Sequence, residues 1–146
     1  MDIKFKELFR INGVNSVYAV NNRAEMIAGR LDGSIDRETA ERLASHIVKI
    51  FAIGLYSNNS KKSTEIELLY DKGRVFAIDC NRFVLIIICN ADVSISMVRL
   101  TSNVVIKTIS EDKKLYKEFT KEVIDKKVML RRDQLNEEEI ALLDRF

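Results

Sequence analysis

The sequence predicts an α/β protein, an α+β sandwich in which five strands form a mostly antiparallel sheet with helices on both faces. Three observations predict it. The stretch RFVLIIICN holds seven consecutive apolar residues, Phe83 to Cys89, rich in β-branched side chains. It is far shorter than the roughly 20 residues of a membrane-spanning helix, and it lacks the alternation of a strand with one wet face, so it fits a strand buried on both sides. Three strand-like runs, 64–70, 74–79 and 83–89, succeed one another through turns short enough for hairpins. Finally, IVKIFAIGLY (47–56) is apolar around most of a helix, which therefore needs cover on more than one side.

A chain of 146 residues is the length of one domain with a real core. Apolar content of 47% and charged content of 32% are those of an ordinary globular protein, and a net charge of +2 is too small to imply nucleic acid or an acidic membrane as partner. Proline is absent, so few elements are forcibly broken. The N-terminal MDIKFKELFR has no apolar core of signal-peptide length, and a cytoplasmic location is expected. Cys80 and Cys89 fall at opposite ends of a strand, roughly 25–30 Å apart at about 3.3 Å per residue. That is too far for a disulfide, and free, buried, inert thiols are expected.

The elements follow in order. Residues 2–11 set Ile3, Phe5, Leu8, Phe9 and Ile11 among charges, a short amphipathic helix ended by Asn12-Gly13. VNSVYAV (14–20) and EMIAGRL (25–31) read as strands joined at Asn21-Asn22, residues that tolerate left-handed backbone. After the break at Asp32-Gly33-Ser34, Ser34 or Asp36 caps a long helix over 36–57, with Glu38 complementing its dipole. In TEIELLY (64–70), Ile66 and Leu68 share one face and Glu65 and Glu67 the other, which suits an edge strand. Asp71-Lys72-Gly73 turns the chain into RVFAID, and Asn81-Arg82 turns it into the apolar run, which suits the centre. Asn90 or Asp92 caps a helix over about 93–109 with Val93, Met97, Leu100 and Val104 on its apolar face. Beyond Ser110 the texture changes. From Lys113 to Arg132 eight basic residues face three acids, and from Asp133 to Phe146 five acids face Arg145 alone. Leu115, Phe119 and Val123 recur at i, i+4, i+8, an amphipathic helix, and Asn136 with Glu139 resembles a capping box. Residues 1–110 thus read as one domain and 111–146 as a C-terminal helical extension.

Within helix 36–57, Ala40, Leu43, Ala44 and Ile47 face in, whereas Arg37, Glu38, Glu41 and Arg42 face out. Its second half carries two apolar faces, Ile47, Phe51 and Leu55 on one and Ile50 and Ile53 on the other. Gly54 admits a close neighbouring backbone, although Gly in a helix costs about 1 kcal/mol relative to Ala. A second stripe must meet a further element or stay exposed. The C-terminal extension is one possible cover and a second copy of the chain is the other. The edge strand favours the copy, because an uncovered edge invites its like. Burying two copies of two or three side chains, at about 1.5–3 kcal/mol each, is on the scale of a stable dimer. The expected homodimer interface comprises His46, Ile50, Ile53 and Gly54 on the helix with Thr64, Ile66 and Leu68 on the strand.

Three segments carry a likeness to a known family: FKELFRINGVNSVYAV, DRETAERLASHIVKIFAIGL, and EIELLYDKGRVFAIDCNRFVLIIICN with the helix after it, including Arg99. Over residues 3–109 their order of apolar positions and turns resembles the roadblock family, which includes the dynein light chain roadblock proteins and the bacterial MglB-type proteins. The first hairpin departs from the pattern, with Asn21-Asn22-Arg23-Ala24 where the family often has an acidic residue and a Gly. The resemblance implies a profilin-like roadblock fold over residues 1–110. Its sheet order would be 2-1-5-4-3, with the long second helix on one face and the first and third on the other. It also implies dimers through third strands and second helices, and a role as regulator or scaffold of a small Ras-like GTPase. The outward residues Arg37, Glu38, Glu41, Arg42 and Ser45 are then the expected partner surface.

Chemistry of the chain's own is hard to find. Gly29 and Gly33 are not followed by Lys-Ser or Lys-Thr, so no P-loop exists. One His and no C-x-x-C leave no zinc signature, and the nucleophile elbow G-x-S-x-G is absent. His46 reads as an ordinary helix residue, and Glu65 with Glu67 as solubilising carboxylates. No enzyme activity, cofactor or metal is expected. An activator can insert an arginine into its GTPase, worth about 10³–10⁵ in rate, which singles out Arg37, Arg42 and Arg82. A dimer that holds the GTPase's own switch loops in the competent arrangement needs no such finger, and this route is favoured. A dimeric adaptor recruiting another protein through 111–146 is the alternative. Nucleic-acid binding by 113–132 is not expected, because Glu118, Glu122 and Asp125 interrupt the charge and Glu122–Lys126 makes an i,i+4 pair of a solvated helix.

Overall fold

The computed structural model describes residues 5–57 and 65–120. Its elements are α1 (Lys6–Phe9), β1 (Val14–Val20), β2 (Met26–Arg30), α2 (Arg37–Ser57), β3 (Glu65–Tyr70), β4 (Gly73–Asp79), β5 (Val84–Cys89), α3 (Ile95–Glu111) and α4 (Lys113–Thr120). The strands form one antiparallel sheet in the order β2-β1-β5-β4-β3, as the resemblance implies. All of β5 is buried. Its alternate residues feed two separate cores. Val84, Ile86 and Ile88 join Tyr18, Val20 and Ala77 beneath Ala44, Ile47 and Phe51 of α2. Leu85, Ile87 and Cys89 join Val17 and Phe76 beneath Leu8 of α1 and Val98, Val105 and Ile109 of α3. The long helix and the two others therefore cover opposite faces.

Asp36 is the cap of α2: its carboxylate accepts the Thr39 N–H at 2.8 Å. That backbone hydrogen bond holds the carboxyl below the usual range. The stabilisation is present above the unfolded carboxylate value and is lost as pH falls through the lower folded one. One buried polar contact fixes the helix on the sheet, the Tyr18 hydroxyl donating to the Ala40 carbonyl at 3.0 Å. Burial raises the phenol pKa, so it remains a donor.

The structure corrects four local expectations. Asn21 and Asn22 do not supply the left-handed turn; Ala24 does, at φ 64°. Asn21 organises the β1–β2 connection through its side chain, whose Oδ1 accepts the N–H groups of Arg23 and Glu25 at 2.9 and 3.0 Å. At Gly29 (φ +126°) the backbone passes so close to Tyr18 that a Cβ would collide with the Tyr18 Cα. α1 is only four residues long, although Phe5 and Leu8 are fully buried as an amphipathic start requires. The cap of α3 is Ser94, accepting from the Met97 N–H at 3.4 Å, and not Asn90 or Asp92. Most consequentially, α3 buries Val98, Ser102, Val105 and Ile109, while Met97, Leu100 and Val104 face out; Val93 is buried, but ahead of the helix. Cys80 and Cys89 are free thiols, the first half-buried and the second buried.

Replacing Tyr18 with Phe removes the bond to Ala40 and keeps the ring. Y18F is expected to lower stability by about 1 kcal/mol, seen as a lower urea midpoint at unchanged slope.

Candidate docking surface on α2 and the β3 edge

The amphipathic pattern of α2 places Ala40, Ala44, Ile47, Val48, Phe51 and Ala52 against the sheet. Its orientation is then locked at the N-terminal end. The Glu41 carboxylate accepts the Met26 N–H at 2.7 Å, and the Arg37 guanidinium donates to the Met26 carbonyl at 3.2 Å and lies 3.4 Å from Glu41. Both residues thus hold α2 on β2. Glu41, expected to face out, is half-buried, because the exposed start of β2 offers an N–H that needs an acceptor. Ile50 lies nine positions after Glu41, two and a half turns along, on the opposite flank of the helix. That flank points away from β2, toward the β3 side of the sheet. Ile50 is 43% exposed there, with Ile53 half-buried and His46 exposed nearby on the helix.

β3 is an edge strand, hydrogen-bonded among the described residues to β4 alone. Ile66 and Leu68 lie opposite Ala77 and Val75 and pack partly against the core under α2. Glu65 and Glu67 lie on the other face, each with its own arginine. Arg99 of α3 reaches Glu65 at 2.8 Å and Arg74 of β4 reaches Glu67 at 3.2 Å. Charged side chains ordinarily guard an edge by repelling a second copy. Here both charges are neutralised within the chain. The Arg99 guanidinium also lies 5.7 Å above the Phe76 ring, so it bridges α3 and two strands. Sequence reasoning missed this residue's part in the edge, since its partner is 34 positions away.

Of the expected interface, Ile50, Ile53, His46, Ile66 and Leu68 fall on the β3 side of the α2 face, while Thr64 lies outside the described residues and the surroundings of Gly54 are not described. Of the expected partner surface, Glu38 and Arg42 form an exposed pair at 3.3 Å and Ser45 is half-buried beside them, whereas Arg37 and Glu41 are tied to β2. Arg82 is exposed in the β4–β5 turn, at the end of the sheet. Glu65 and Glu67 each pair with a separate arginine and not with one another. Burial pushes the Cys89 thiol up to about 11, which leaves it protonated and unreactive. Among the described residues no cluster of three or more His, Cys, Asp or Glu could hold a metal, and no helix is long and apolar enough to cross a membrane. The geometry offers an apolar flank beside an open strand. Such a surface is of the kind that binds another chain.

No protein-family model matches the sequence, and no curated protein matches it. Solved structures do. The Roadblock/LC7 domain from Streptomyces avermitilis superposes with a TM-score of 0.62 at 9% identity, over 76% of this chain and 95% of that one. MglB from Myxococcus xanthus superposes at 0.62 and 18% identity, over 78% of this chain and 85% of that one. The chain has the roadblock fold. The gliding protein MglB from Thermus thermophilus is similar in the same way, at 0.59 and 9% identity over 83% and 85%. At such identities the roadblock backbone is shared while most side chains are not, so the surface must be argued from this chain's own residues.

Arg99→Ala is expected to cost less than about 1 kcal/mol, because the Glu65 pair is partly exposed. The variant should nonetheless exchange the β3 amides faster than the parent, and added salt should shrink that difference.

Proposed function

We propose that the protein is a homodimeric, non-catalytic regulator or scaffold that binds a small Ras-like GTPase in the cytoplasm and modulates its nucleotide cycle. The observation that carries this reading is the β3 edge, whose two carboxylates are neutralised by Arg74 and Arg99 while Ile50 stands exposed on the adjoining flank of α2. Pairing β3 with the β3 of a second copy would satisfy the open backbone groups and continue the sheet. The same two-fold would bring the Ile50 and Ile53 flanks of two α2 helices together. Residues 1–110 then act as the roadblock domain, and residues 111–146 as an extension outside it.

The GTPase enters through the likeness to the roadblock family. The dimer would present two copies of the Glu38–Arg42 pair with Ser45 on neighbouring helices, and Arg37 and Glu41 would serve by keeping those helices seated on β2. No arginine of α2 stands clear of a carboxylate, since Arg37 is bonded to Glu41 and Arg42 to Glu38. This favours stabilisation of the partner's own switch loops over an inserted finger.

Light scattering on the purified chain should give twice the sequence mass. Ile50→Lys buries two charges per dimer and should weaken association about a hundredfold or more without unfolding the subunit. A monomeric parent protein at micromolar concentration would overturn the dimer. The GTPase arm is read with a Ras-like GTPase of the same organism, loaded with GTP or GDP. Parent protein should bind one nucleotide state preferentially, and Arg42→Ala should change hydrolysis by less than about tenfold, where loss of a catalytic finger would cost about 10³ or more.

A further inference from the structure

A second apolar surface lies on the other side of the sheet from α2. Met97, Leu100 and Val104 run along the outside of α3 at 51%, 65% and 61% exposure. They stand at i, i+3 and i+7, a continuous stripe about 10 Å long. The opposite side of the same helix already fills the core, so these side chains are surplus to the fold. We propose that the stripe seats the chain's own residues 133–146, which fold back on α3 in cis as an acidic amphipathic strap. This inference stands apart from the dimer and GTPase readings, since it uses neither α2 nor β3.

The path of the chain favours it. α3 ends at Asp112 in extended backbone, and α4 begins at the next residue, with the Tyr116 N–H donating to the Asp112 carbonyl at 2.8 Å. The Tyr116 side chain packs against the core that lies under α1 and α3. The C-terminal extension therefore departs on the α3 side of the sheet. Twelve residues, 121–132, separate α4 from the proposed strap. They reach as far as about 40 Å, against about 25 Å for the whole of α3.

The pattern of the segment suits such a seat. Residues 133–146 carry five acids against Arg145, while on α3 Arg99 is paired with Glu65 and Lys107 lies 3.9 Å from Glu111, so the seat is the apolar stripe and not a free positive charge. Asn136 with Glu139 has the spacing of a capping box, and Leu135 with Ile140 has that of the hydrophobic staple that accompanies one. Ile140 and Leu143, three apart, would then share one helical side. Size decides between a strap in cis and a second copy in trans. Three side chains, with no open strand edge beside them to add backbone pairing as β3 does for α2, are far less than the roughly 800 Å² per partner of a stable interface, but a tethered segment avoids most of the cost of association.

The full-length chain tests this by limited trypsin cleavage at Arg131 and Arg132, beside the strap. Ile140→Asp with Leu143→Asp, and separately Leu100→Asp with Val104→Asp, should each speed that cleavage at least about tenfold, because cleavage tracks the opened population. Equal rates in parent and strap variant would overturn the proposal, as would protection that grows with protein concentration. Placement is read independently by replacing Leu100 with a photoreactive benzoylphenylalanine. A product of monomer mass joined to peptide 133–146 supports the strap. A product joined to a second copy, or to any other segment, overturns it.

Discussion

Every residue of β5 is shielded from water on both faces of the sheet, and the remaining architecture keeps it so. A strand of this kind forces helices onto two sides, and that need fixes the roles of α2 and α3. It also forces the neighbours of β5 to be strands with apolar residues on both faces, as β1 and β4 are. Only the outermost strands, β2 and β3, mix half-buried and exposed positions. The gradient from centre to rim is the physical origin of the reactive edge. The stickiest backbone lies inside, and the strand left at the border is the one with the weakest apolar pattern.

Most of the fold was legible in the sequence, because strands and turns leave local marks. The alternation of Ile66 and Leu68 with Glu65 and Glu67 identified an edge strand, and the uninterrupted run at 83–89 a central one. The order of the sheet was not local information; it came from the likeness to a family. α3 was placed correctly and faced wrongly. Its true core stripe contains Ser102, whereas the stripe that looks cleaner, with Met97, Leu100 and Val104, is the exposed one. A helix with two apolar stripes cannot be oriented from its period alone. The cap failed for a similar reason, since Asn90, Asp92 and Ser94 are rivals within five residues and only the backbone chooses among them.

The surface was less legible than the core. Charges on a helix are assigned to solvent by default, yet Glu41 turns inward because β2 presents an unpaired N–H to it. Nothing near Glu65 in sequence announces Arg99, and nothing near Glu67 announces Arg74. Patterning therefore recovered which residues are oily, and missed how the polar ones are wired across elements. The neutral edge of β3 is a product of that wiring.

Arg99 stands on two surfaces at once. Its guanidinium quenches the Glu65 carboxylate at the border of the sheet, while its Cα rides on the same helical turn as Met97 and Leu100. Whatever draws that guanidinium away returns a bare negative charge to the strand and would make the proposed self-association harder. Whatever presses a second subunit against the strand pins the guanidinium in place. Linkage is reciprocal, so each event scales the other's equilibrium by the same factor. If the proposed pairing forms, a self-association constant measured across ionic strengths would then serve as a gauge of what happens on α3.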